Sequence, residues 1–221
     1  MTAAPPSSPQ PRTEHRFPVF VAAVIALVLF AVLPSEVQFL PNWLVPSIAG
    51  VVLIPLIAIN PRRLNNETRW SRWIGIGFAL GLTAINQVYV VLLVIELVSG
   101  QARGPIVLLT ALCVWITNII AFSLVYWELD RGGPVARRVE GVNDNARQDF
   151  RFPQQDNPAG VEGWQTAYPD YAYLSMTNMM AFSPTDAMPL TIRAKGLMAY
   201  QAFTGFVLLA LVISRAVNIL T

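Results

Sequence analysis

Ser183, Pro184, Thr185 and Asp186 place two hydroxyls and a carboxylate side by side in an otherwise apolar stretch. Such a set has two chemical uses. It can offer oxygen lone pairs to a cation, or one hydroxyl can act as a nucleophile once a neighbouring base takes its proton. The second use lacks its base, because the single histidine, His15, stands in a Pro- and Ser-rich stretch near the amino terminus. An enzyme is therefore not expected. With one histidine and one cysteine, Cys113, neither a His/Cys metal cluster nor an intrachain disulfide is available, and no cofactor is expected. Cys113 reads as a small apolar residue in a helix.

A second polar set lies inside apolar runs: Asn86 and Gln87 in one, Asn118 in the next. An amide within a membrane helix is a functional candidate, and it is also a common hydrogen-bonding link between helices. The link is the commoner role. Glu96 stands close enough to the end of its run to reach the interface.

These residues must be held by apolar helices. Of 221 residues, 54% are hydrophobic and 13% charged, and the apolar ones come in long blocks. That make-up predicts an all-α integral membrane protein with about five transmembrane helices and one re-entrant helix and loop. Residues 1–16 read as a disordered cytoplasmic tail. Residues 17–103 hold three spans, near Phe17–Pro34, Trp43–Asn60 and Ile74–Val98, with Pro46 and Pro55 in the second. In the third, Gly77 and Gly81 offer a small-xxx-small face for close packing.

Residues 104–221 form a second unit. An outer helix over 105–127 ends at Tyr126 and Trp127, which mark the interface. Glu128, Asp130 and Arg131 follow as a local ion-pair and cap cluster, closed by a Gly-Gly-Pro turn. The connection 128–168 exceeds ordinary length, and Phe150, Phe152, Pro153 and Trp164 favour partial order in it. Its acids Glu140, Asp144, Asp149, Asp156 and Glu162 lack ligand spacing and read as solvated charges. A short amphipathic helix and polar turn fill 169–189, and an inner helix runs over 193–220.

The order of residues from Tyr168 onward resembles the pore module of the potassium channel superfamily, whose pattern runs roughly YFSFTTLTTVGYGDITP into an inner helix. The match falls at Tyr173, Ser175, Thr177, Asp186, Pro189 and Thr191, and continues with Lys195, Gly205 and Arg215. The resemblance implies a pore helix, a filter-like loop and a hinge glycine at Gly205. The filter itself departs from the family, since Ala181, Phe182, Ser183, Pro184 and Thr185 stand where the family has TVGYG. Glycines there turn successive carbonyls toward the ion, whereas Ser183 and Thr185 resist that backbone and Pro184 removes an N–H. The second half is also similar to uncharacterised bacterial membrane proteins with a WELDRGGP-like segment and an FSPTD-like loop, a likeness that supplies no activity.

The expectation is a homotetrameric pore-loop channel-like protein of the cell (plasma or inner) membrane, passing inorganic ions without potassium selectivity. Its filter-like residues are Thr177 and Ala181 to Asp186. The alternative is a non-conducting sensor or scaffold on the same architecture. Voltage sensing lacks its arginine series, and no basic stripe points to nucleic acid. Arginines at 12, 16, 62, 63, 69, 72, 131, 137 and 138 collect on one side if all early spans cross, while Arg103 lies on the other. The positive-inside rule then brings the loop in from the cytoplasm, opposite to the family, and an inverted module is favoured.

Overall fold

The computed structural model describes residues 14–33, 41, 43–59, 69–99, 106–139, 148–156, 164–180 and 187–220. Seven helices and a two-stranded sheet follow one another as α1 (Phe17–Ala31), α2 (Leu44–Ile59), α3 (Arg69–Ser99), α4 (Ile106–Leu129), α5 (Ala136–Val139), β1 (Phe150–Arg151), α6 (Tyr168–Met179), β2 (Met188–Pro189) and α7 (Ile192–Leu220).

Among the described residues three stretches are long and apolar enough to cross a membrane. They are Trp70–Ser99 of α3, Ile106–Gly132 of α4 with its terminal turn, and Ile192–Val217 of α7. The outer faces of α3 and α7 show why lipid suits them. Val88, Val91, Ile95 and Val98 on one, and Phe203, Phe206, Leu209, Ile213 and Val217 on the other, stand exposed three or four residues apart. Stripes of that extent are unusual on a water-soluble monomer. The first two expected spans correspond to α1 and α2, of 15 and 16 residues. At 1.5 Å per residue these reach about 22–24 Å, short of a hydrocarbon core of about 30 Å. Three of the five expected spans thus have, among the described residues, a helix long and apolar enough to cross.

α4 is the central helix. Every residue from Ile120 to Trp127 is buried, as are Val114, Thr117 and Asn118. It packs against α1, α3, α6 and α7. Its own hydroxyls are satisfied by the preceding turn: Thr110 donates to the Ile106 carbonyl at 2.9 Å, Thr117 to Cys113 at 2.7 Å and Ser123 to Ile120 at 2.7 Å. Tyr126 and Trp127 are 0% and 4% exposed, so these two are core residues and not interfacial markers. The helix stops at Asp130, after which Arg131, Gly132 and Gly133 take φ values of 50°, 80° and 102°. Glycine tolerates such angles, and the pair turns the chain sharply without strain at those two positions.

The starts of α1, α3, α6 and α7 meet the end of α4. Glu14, just ahead of α1, contacts Trp127; Arg193 of α7 donates to the Leu129 carbonyl at 3.0 Å. Gly75 of α3 lies so close to the Glu128 carboxylate that a Cβ would come within 2.6 Å of Oε1. The close helix approach in α3 therefore uses Gly75. At Gly77 and Gly81 a Cβ would meet nothing within 4 Å, so no close approach among the described residues uses them.

From this shared end α6 runs inward. Tyr171 bonds Asp130, Ser175 donates to the Ile119 carbonyl at 2.8 Å, and Met179 abuts Gly205, midway along α7. The chain is back at the starting end by β2, where Met188 and Pro189 pair antiparallel with Arg151 and Phe150. α6 thus enters the helix bundle about halfway, and β2 lies at the end from which α6 started.

Candidate functional site

Two polar layers hold α6. The inner one centres on Gln201 of α7, which is fully buried. Its amide oxygen accepts from the Tyr126 hydroxyl of α4 at 2.7 Å and from Asn178 Nδ2 of α6 at 2.9 Å. Its amide nitrogen donates to Ser175 Oγ at 2.7 Å, and Asn178 also donates to the Met198 carbonyl at 2.9 Å. One glutamine thus joins α4, α6 and α7. Tyr171, Ser175 and Asn178 are spaced four and three residues apart, so one face of α6 carries all three.

The outer layer is charged. Asp130, 1% exposed, accepts from the Asp149 amide at 2.7 Å, from the Phe150 amide at 3.3 Å and from the Tyr171 hydroxyl. Asp149, also 1% exposed, accepts from Thr191 and from Arg193 Nε at 2.8 Å. These contacts correct two expectations. Asp130 is a buried acceptor for chain segments far away and not part of a local ion-pair cluster, and Asp149 is not a solvated charge. Both carboxylates are buried because each has enough donors to replace water.

Arg137 lies beneath this layer. It donates to the Trp127 and Asp130 carbonyls at 2.6 and 3.0 Å, and its guanidinium sits 5.0 Å from the Tyr171 ring and 6.0 Å from the Trp127 ring. The ring faces supply negative potential where Nε and Nη2 have no hydrogen-bond acceptor. Beside it Phe150, Phe152 and Tyr171 pack edge to face, with Tyr126 against Phe150. This cluster gives the order that Phe150, Phe152 and Trp164 implied. Glu14 completes the layer at 5% exposure, so the stretch read as a disordered tail is folded from Glu14 onward. Next to it, burial lowers the Arg16 guanidinium below its usual range, against the opposing pull of Glu128.

Ala181, Phe182, Ser183, Pro184, Thr185 and Asp186 lie outside the described residues. Thr177 is half-buried and bonds its own helix, donating to the Leu174 or Tyr173 carbonyl at 3.0 or 3.1 Å. It borders a cleft of about 330 Å³ with Phe152, Gln154, Asp170, Tyr173 and Ala187. Gly205 takes the Met179 carbonyl against its Cα, and α7 continues unbroken through it. That close approach alone requires glycine.

The intramembrane amides form a separate link. Asn118 Nδ2 donates to Asn86 Oδ1 at 2.8 Å, and Asn86 Nδ2 to the Val114 carbonyl at 3.1 Å, joining α3 to α4. Gln87 accepts from Tyr200 of α7 at 3.0 Å. Asn118 Oδ1 and Gln87 Nε2 are buried without a partner. Among the described residues no group of three His, Cys, Asp or Glu side chains could hold a metal ion.

Comparison with known proteins leaves the site to be read on its own geometry: no family model, curated protein or solved structure matches the chain. Gln201, Asn178, Tyr171, Arg137 and Glu14 were not singled out as site residues from sequence. Gln201 and Asn178 had a visible signal: Asn178 is an amide at helical spacing from Tyr171 and Ser175, and Gln201 is an amide within the apolar run of α7. Glu14 had none, because its partners are more than a hundred residues away, and Arg137 had none, because it bonds backbone carbonyls across a tight turn.

Proposed function

We propose that this chain is a subunit of a pore-loop, ion channel-like membrane protein, with α4 as outer helix, α6 as pore helix and α7 as inner helix. The observation that carries the reading is the half-depth course of α6, which stops beside Gly205 before the chain returns to β2. A helix end and a loop at membrane depth need protein or water around them, since lipid satisfies no backbone group. In a single chain one side of α6 stays open: Tyr173, Met176 and Met180 are exposed at spacings of three and four. Copies arranged around an axis would cover that side and bring the loops together, and a homotetramer is the arrangement the pore module implies.

The loop enters from the end where α1, α3 and α7 begin and α4 finishes. The arginines at 16, 69, 72, 131 and 137 cluster at that end, so the positive-inside rule makes it cytoplasmic and the module inverted relative to potassium channels. Ser183, Thr185 and Asp186 supply oxygens to a cation at the loop, and the missing TVGYG backbone removes potassium selectivity. The membrane is the cell membrane. A non-conducting sensor or scaffold is the second reading. It is favoured by the direction of the α6 polar groups, since Ser175 and Asn178 turn toward α4 and α7.

The test is the reversal potential of purified protein in a planar bilayer under a potassium chloride gradient, followed by replacement of potassium with sodium. The channel reading expects a current whose reversal potential hardly moves on substitution. Silence from intact oligomers removes it in favour of the scaffold.

A further inference from the structure

Glu14 lies just ahead of α1, yet it is 5% exposed and touches three distant elements. Its Oε1 accepts from the Trp127 indole of α4 at 3.0 Å and from the backbone N–H of Tyr168, the first residue of α6, at 2.7 Å. Its Oε2 lies 3.8 Å from Nη2 of Arg137, whose own exposure is 7%. A carboxylate is seldom buried unless charges and donors replace its water, and here it meets an arginine, an indole and the positive end of a helix. Tyr168 is fastened on its other side by Ser123, 2.7 Å away, so the position of the first turn of α6 depends on α4 and on Glu14 together.

We infer that Glu14, just ahead of α1, is a strap: it pins the first turn of α6, and its release loosens that turn and with it the hold on the residues that follow α6. The regulatory part of this inference rests on the pore-loop reading above; the mechanical part does not. Asp130 and Arg137 face the same turn from α4 and α5, and they hold Tyr171 one turn deeper. Withdrawal of Glu14 therefore loosens the start of α6 without removing its deeper anchors. Any partner or modification that draws the amino-terminal segment away from the bundle acts on the loop through this one side chain.

The experiment is hydrogen exchange on the full chain in lipid nanodiscs, comparing native protein with Glu14→Ala and Glu14→Gln, alongside bilayer recording of the same samples. Glu14→Ala is expected to speed exchange at Tyr168 to Tyr171 by about tenfold or more, the usual effect of losing a charge-assisted hydrogen bond. Glu14→Gln keeps an acceptor for the indole and the amide, and is expected to give a smaller change. Should Glu14→Ala fail to fold, Trp127→Phe removes one donor and is expected to loosen the same turn by a few-fold. Unchanged exchange in α6, or an equal rise in α3, α4 and α6, overturns the strap. Loosening of α6 with altered current supports the whole inference; loosening with a current identical to native overturns the link to the loop. Loosening in a protein silent in every form keeps the strap and sinks the channel reading.

Discussion

The two sides of α4 are built differently. Toward α6 and α7 it meets Gln201, Asn178, Ser175, Tyr168 and Tyr171, nearly all through hydrogen bonds to named partners. Toward α1 the contact is apolar, through the buried Ala23, Ala26 and Phe30, whose side chains have no donor or acceptor. Apolar packing in a membrane tolerates sliding, because lipid and leucine are alike in polarity, whereas a buried hydrogen bond fixes register. The half-depth helix sits on the side where register is fixed.

That contrast can be broken most forcefully at Asp130. Asp130→Ala leaves two backbone N–H groups and the Tyr171 hydroxyl without their acceptor, and is expected to cost about 3–5 kcal/mol. Loss of folded protein after solubilisation, or a steep fall in its unfolding midpoint, is the readout. Gln201→Leu leaves the Tyr126 hydroxyl without its acceptor and takes one of two partners from each of Asn178 Nδ2 and Ser175 Oγ, for a loss of about 2 kcal/mol. Restored stability in Gln201→Asn would show that reach matters less than the amide. Gly205→Ala drives a methyl group into the Met179 carbonyl and is expected to cost about 1–3 kcal/mol while shifting the end of α6. A neutral result would mean that α6 and α7 can separate there freely. Asn118→Leu, at the α3 link, should cost only about 0.6 kcal/mol, the usual value for a single hydrogen bond between membrane helices. Smallest of all is Ile48→Val on the exposed side of α2, expected within about 0.5 kcal/mol of native in lipid. An effect there as large as that of Gln201→Leu would erase the contrast.

The long helices were legible because a run of apolar residues declares itself locally. α3, α4 and α7 lie over the stretches expected for them, with Arg69–Ser99 extending the third by several residues at its start. α6 was also legible, since Pro169 opens it and Asp170 caps the Ala167 amide at 2.8 Å. Burial of charge was not legible. Asp149 and Glu140 look alike in sequence, and only the arrival of Thr191 and Arg193 separates Asp149 from a solvated acid. The same holds for Tyr126 and Trp127, which have interfacial chemistry and yet occupy the core, because α6 and the Glu14 segment cover them. Asn86 and Asn118 could be read as a link from their chemistry alone; that they bond each other needed the register of α3 on α4.

The clasp on Asp149 also sets an order of events during synthesis. Its partners Thr191 and Arg193 lie 42 and 44 residues later in the chain, and β2 pairs with β1 across a similar gap. When α6 is made, its partners Glu14, Ile119, Ser123 and Asp130 already exist, whereas those of Asp149 and the far partners of Asn178 do not. Seating of the far end of α6 is therefore a late step, completed as α7 follows, and a chain halted before residue 191 would hold the first turns of α6 on α4 with Asn178 still waiting for Met198 and Gln201.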